Sequence, residues 1–126
     1  MSTYANVFVR TDATIRDFAG RISRLLGKPL DRKQMGESDV YETDLLGLGV
    51  VVFSQPGRQD DQENNLTFTR YQVQIDIGPT TGAAAHDALV AALSVHLAGE
   101  ITAKLKCPTM VADGLRKRVA TFGAEG

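Results

Sequence analysis

The chain has 126 residues and a mass of 13.6 kDa, room for one domain over residues 1–126, and 43% hydrophobic residues supply its core without disulfides or metal. Fourteen basic against fifteen acidic residues exclude the strongly basic balance of a dedicated nucleic-acid binder, and a single cysteine excludes an intrachain disulfide and a cysteine-cage zinc site. The amino terminus lacks the basic-then-apolar order of a signal peptide, and His86, Asp87, His96 and Glu100 interrupt the apolar stretch 83–103, so a cytoplasmic protein away from membranes is expected.

Tyr4 to Arg10 reads as a strand through Val7-Phe8-Val9, and a helix follows. Thr14 with Asp17 three residues on resembles a capping box; Ile15, Phe18, Ala19, Ile22, Leu25 and Leu26 recur at the helical period, and Gly27 and Pro29 stop the run. Arg16, Arg21 and Arg24 fall off that stripe onto a solvated face. Residues 28–38 read as a polar linker and 39–46 as a second strand. Gly47-Leu48-Gly49 turns the chain into Val50-Val51-Val52-Phe53, apolar on both faces, which implies a central strand covered on each side or by a partner.

Residues 55–65 form a long polar loop opened by Pro56-Gly57. The strand from Leu66 to Ile77 changes phase near Thr69-Arg70, which predicts a β-bulge. From 83 to 106 a long helix carries the stripe Leu89, Val90, Leu93, Leu97 and Ile101. Its opposite side, Ala88, Ala91, Ser94, Val95, Ala98, Gly99 and Thr102, is small and uncharged, so both sides are expected to be covered, the second by the first helix or by another copy of the chain. Residues 109–112 suit a short edge strand; beyond it, Leu115, Val119 and Phe122 suit a short helix, while Asp113-Gly114 would instead turn a hairpin. The expected fold is α+β, a two-layer sandwich of a mainly antiparallel sheet of about five strands, in the order β-α-β-β-β-α-β, with two helices on one face.

Charge is segregated along the chain. Residues 1–36 hold seven Lys/Arg and three Asp/Glu, whereas residues 37–63 hold one and seven. Such a block steers partners of opposite sign. Within it Glu42 and Asp44 stand two apart on a strand and share a face, and Asp60, Asp61 and Glu63 lie in the long loop. These five are the candidate partner-binding residues.

Motifs for chemistry are sparse. Gly47-Leu48-Gly49 leads into a strand, and Gly78-Pro79-Thr80-Thr81-Gly82 lacks the Gly-Lys-Ser/Thr ending of a phosphate loop. His96 and Glu100, four apart on the long helix, would form with Tyr71 the polar lining of a pocket between sheet and helix, but a zinc site needs a third ligand. Cys107 reads as a small buried hydrophobe. Arg116-Lys117-Arg118 reads as a solvated terminal face, since 6% aromatic residues leave few platforms for nucleic-acid bases. No catalytic residue, metal or cofactor is assigned.

Residues 8–12 before an amphipathic helix, Leu46-Gly47-Leu48-Gly49-Val50, and residues 71–77 before an Ala-rich helix resemble small uncharacterised bacterial α+β proteins, among them immunity proteins of toxin-antitoxin competition systems. The resemblance implies a cofactor-free protein that masks a partner enzyme. The expected function is therefore a non-enzymatic interaction module using an acidic surface against a basic protein partner. The alternatives are a small-molecule-binding protein or enzyme with the Tyr71, His96, Glu100 pocket, and a homodimer through the small-residue helix face.

Overall fold

A computed structural model describes residues 4–36, 38–45, 47–57, 59–63, 66–79, 87–115 and 117–123. The elements are β1 (Ala5–Val9), α1 (Ile15–Leu26), β2 (Asp31–Met35), β3 (Ser38–Leu45), β4 (Leu48–Ser54), β5 (Val73–Pro79), α2 (Asp87–Leu105), β6 (Thr109–Asp113) and β7 (Lys117–Phe122). The strands form one antiparallel sheet in the order β2-β3-β4-β5-β1-β6-β7. The fold is α+β with two helices, as the sequence suggests, but the sheet has seven strands rather than about five.

The two added strands lie at the edges. β2 occupies the stretch read as a linker: its five residues are all exposed, so no apolar alternation marks it, and only pairing with β3 makes it a strand. Its charged side chains suit an edge that must not recruit other chains. At the other edge β6 and β7 form the hairpin signalled by Asp113-Gly114, which displaces the short helix, and β6 is an inner strand. Gly114 and Leu115 both take positive φ in the turn, +61° and +66°. For leucine this is strained. Its partly buried side chain packs against Phe8, Met110 and their neighbours, and its N–H donates to Asn6 Oδ1 at 2.9 Å.

α1 forms where its stripe and caps predict. Thr14 Oγ1 accepts from Asp17 N at 3.1 Å, Gly27 closes the helix at φ +67°, and Phe18, Ala19 and Ile22 are buried. In α2 the buried line is Val90, Ser94, Leu97, Ala98 and Ile101, with Leu93 only partly buried and Leu89 37% exposed. The small residues therefore face inward in part. Ala98 and Ser94 bring the helix close to the sheet, and Thr109 Oγ1 reaches the Ala98 carbonyl at 3.3 Å. Ala88, Leu89, Ala91, Ala92 and His96 are exposed, so α2 is covered along one side rather than both. By length and composition Ala88–Leu105 would suffice to cross a membrane, although its inner side lies in this core.

The sheet is thus covered unequally. On one face Val7, Val9, Val50, Val52, Ile75 and Ile77 meet both helices in the main core. On the other, Phe8, Met110 and Ala112 meet Leu66, Phe68, Tyr71 and Leu115 in a second core. The lid of this second core is formed by described residues between β4 and β5, chiefly Leu66, Phe68 and Tyr71. Phe68–Arg70 forms a 3₁₀ turn there, so the phase change near Thr69 marks the chain leaving the sheet rather than a β-bulge.

Candidate functional site

The lid covers only the β1 and β6 half of the helix-free face. Strand register gives the remainder. One row across the sheet runs Asp31, Glu42, Val51, Asp76, Asn6, and the next row on the same face runs Lys33, Val40, Phe53, Gln74, Phe8. A row beyond, Asp44 stands opposite Gly49 and Gly78. Val51 and Phe53 are partly buried among these carboxylates, and Asp31 and Asp44 are exposed. A hollow of about 420 Å³ at the β3 end is lined by Lys28, Asp31, Glu42, Asp44, Gly49 and Val51.

Two lysines lie against these residues, one on a carboxylate and one on a backbone carbonyl. Lys33 pairs with Glu42, and the Lys28 ammonium donates to the Asp44 backbone carbonyl. The hydrogen bond to Glu42, followed by the charge of Glu42, holds the Lys33 ammonium above its ordinary value. On the helix-facing side of the same hairpin Arg32 lies 3.8 Å from Asp39. The basic first segment and the acidic second one thus partly neutralise each other across β2 and β3.

At the centre of the face Asp76 Oδ1 accepts from Asn6 Nδ2 at 2.7 Å and from Gln74 Nε2 at 2.8 Å. Both amides are buried, so this carboxylate satisfies groups that would otherwise be costly. Asp31 and Asp76 were not singled out from the sequence. Asp31 sat in apparent linker, and the alignment of Asp76 with Glu42 across Val51 follows from register alone.

The five sequence-predicted carboxylates fall in two groups. Glu42 and Asp44 rise from β3. The loop group belongs to the lid, where Asp60 is structural: its carboxylate accepts from Thr69 N at 2.9 Å and Thr69 Oγ1 at 3.0 Å. Asp61 exchanges backbone hydrogen bonds with Leu66 at 2.8 and 2.9 Å, pinning the lid's base, and Glu63 is exposed. The long loop is consequently not spare chain.

The proposed pocket residues do not come together. Tyr71 is a buried residue of the lid with its ring centroid 6.4 Å from that of Phe8, whereas His96 is exposed on α2 beyond the other face of the sheet. Glu100 pairs with Lys104 at 2.9 Å, and that hydrogen bond holds its carboxyl below the ordinary value. His86 lies outside the described residues. Cys107 is buried, its Sγ 3.4 Å from the Leu105 carbonyl. Among the described residues no three His, Cys, Asp or Glu side chains are grouped to hold a metal ion.

The helix layer carries several cations beside Asp17 and Glu100. Arg16, Arg21, Arg24 and Lys104 are exposed there, and a hollow lined by Arg21, Arg24 and Lys104 opens between the ends of α1 and α2. Cations at helix C-termini complement the negative end of the helix dipole, which accounts for Arg24 and Lys104. Comparison with protein-family models, with curated proteins and with solved structures finds no match to this chain.

Proposed function

We propose that the chain is a cytoplasmic, non-enzymatic interaction module of the immunity kind, which holds a basic protein partner on the uncovered half of its helix-free face. The observation that carries this reading is the unequal covering of that face. One half is sealed by the lid, while the other leaves Val51 and Phe53 partly exposed among Asp31, Glu42, Asp44 and Asp76. Apolar side chains at the centre of a charged rim supply desolvation energy, and the rim supplies steering and register. Lysine or arginine side chains of the partner would compete with Lys33 for Glu42. This also gives Val51 and Phe53 the cover that an apolar strand calls for.

The test is co-expression with the product of the adjacent gene, because immunity proteins are encoded beside their toxins. A stable complex is expected, with association slowed about tenfold by the combined changes Asp31→Asn, Glu42→Gln and Asp44→Asn, and with less dependence on salt. Absence of a complex, or an association rate indifferent to the three changes, would overturn the reading.

A further inference from the structure

The row beyond Val51 and Asp76 ends in an aromatic ring. Asp44 stands opposite Gly49 and Gly49 opposite Gly78, and one step past the Ala5–Ile77 pair the register brings Tyr4 beside Gly78. A Cβ added at Gly78 would collide with Cδ1 and Cε1 of the Tyr4 ring. Side chains alternate along a strand, so that Cβ would point to the face that carries Asp76, and the ring therefore lies over Gly78 on the helix-free side. Tyr4 is nevertheless 54% exposed, which leaves much of the ring open to an approaching group.

Gly49 has no side chain either, and it lines the same hollow as Glu42, Asp44 and Val51. Between the Tyr4 ring over β5 and the Asp44 side chain on β3 there is thus a gap with only backbone beneath it, the two strands being about 10 Å apart. A glycine inside a strand often marks a place where another group comes close to the main chain. One wall of the gap is an aromatic ring. The other is a carboxylate, and the Lys28 ammonium meets that residue at its main-chain carbonyl rather than at its side chain.

We propose that this gap seats an arginine side chain of the partner, and that Tyr4 is the residue that selects arginine over lysine there. The proposal rests on the docking face described above and adds to it a contact outside the acidic pattern. A guanidinium is planar and weakly hydrated, stacks on an aromatic ring and donates to a carboxylate through two N–H groups. An ammonium is a strongly hydrated point charge with no flat face to lay against the ring. Asp31, Glu42 and Asp76 attract cations of either kind, so the selection belongs to the ring.

Decaarginine and decalysine are the probes, with dissociation constants measured at one salt concentration for the wild type and its variants. Carboxylates alone hold arginine somewhat better than lysine, so the readout is the change in the arginine-to-lysine affinity ratio when the ring is altered. Tyr4→Leu should lower that ratio about threefold, through weaker decaarginine binding alone. Tyr4→Phe should preserve it. Gly78→Ala keeps Tyr4 in the chain but pushes its ring aside, and should lower the ratio as Tyr4→Leu does. An unchanged ratio in Tyr4→Leu, or an equal loss of both peptides, would overturn the proposal while the docking face stands. Failure of both peptides to bind the wild type would overturn the docking face and the proposal together.

Discussion

Phe8 and Phe53 stand in the same cross-strand row, on the same face of the sheet, with only Gln74 between them. Their surroundings are opposite. Phe8 is fully buried, its ring centroid 5.0 Å from that of Phe68 in the lid, whereas Phe53 is partly exposed beside Val51. The lid that covers Phe8 needs Leu66, Phe68 and Tyr71, the Asp60 contacts to Thr69 and the bridge between Asp61 and Leu66. Nothing comparable covers Phe53 among the described residues. The difference separates a half of the face that the chain completes for itself from a half that it leaves to something else.

Substitution of the two phenylalanines breaks or sharpens that contrast most strongly. Phe8→Ala should cost about 3–5 kcal/mol in denaturant unfolding, as for large residues removed from well-packed cores. Phe53→Ala should cost about 1–2 kcal/mol, since a partly exposed ring loses less transfer energy and leaves no closed cavity. Equal costs would mean that the second half is as well covered as the first. At the seam between them, Asp76→Ala removes the acceptor of two buried amides and should cost about 1–3 kcal/mol. Asp76→Asn restores part of that loss only if its amide group can turn an oxygen toward them.

Within the lid, Asp60→Ala should cost about 1 kcal/mol through the lost contacts to Thr69, with earlier exchange of the amides around 66–71 as the local readout. The smallest effect concerns charge. Lys33 has a raised pKa in the folded chain, so its contribution to stability is complete below the unfolded value of 10.5 and disappears as pH rises through the higher folded value. Glu100 has a lowered pKa, so its contribution is complete above its unfolded value of 4.5 and disappears as pH falls through the lower folded one. Glu42→Gln should accordingly lower the melting temperature relative to wild type at neutral pH, and that difference should shrink as pH rises above about 10.5.

How much of this was legible in the sequence depends on whether local pattern or distant pairing decides the element. α1 was legible because Thr14, the apolar stripe and Gly27 act within one segment. β2 was not, because Asp31-Arg32-Lys33-Gln34-Met35 becomes a strand only through β3. In α2 both sides are apolar or small, so periodicity could not tell that Ser94 and Ala98 face the sheet and Leu89 faces out. Ala98→Leu should therefore destabilise the fold by about 1–3 kcal/mol through crowding against β6. The acidic block was visible as composition, but its division between lid and open strands required the register, and so did the separation of Tyr71 from His96 and Glu100.

Whether the uncovered acidic half is the docking surface is decided by titrating the ¹⁵N-labelled protein with a decalysine peptide and mapping the amide shifts. Shifts should concentrate at Glu42, Asp44, Val51 and Phe53, shrink as salt is added and be mostly lost in the double variant Glu42→Gln, Asp44→Asn. Shifts centred on α1 or α2, or a response unchanged in the double variant, would contradict docking there.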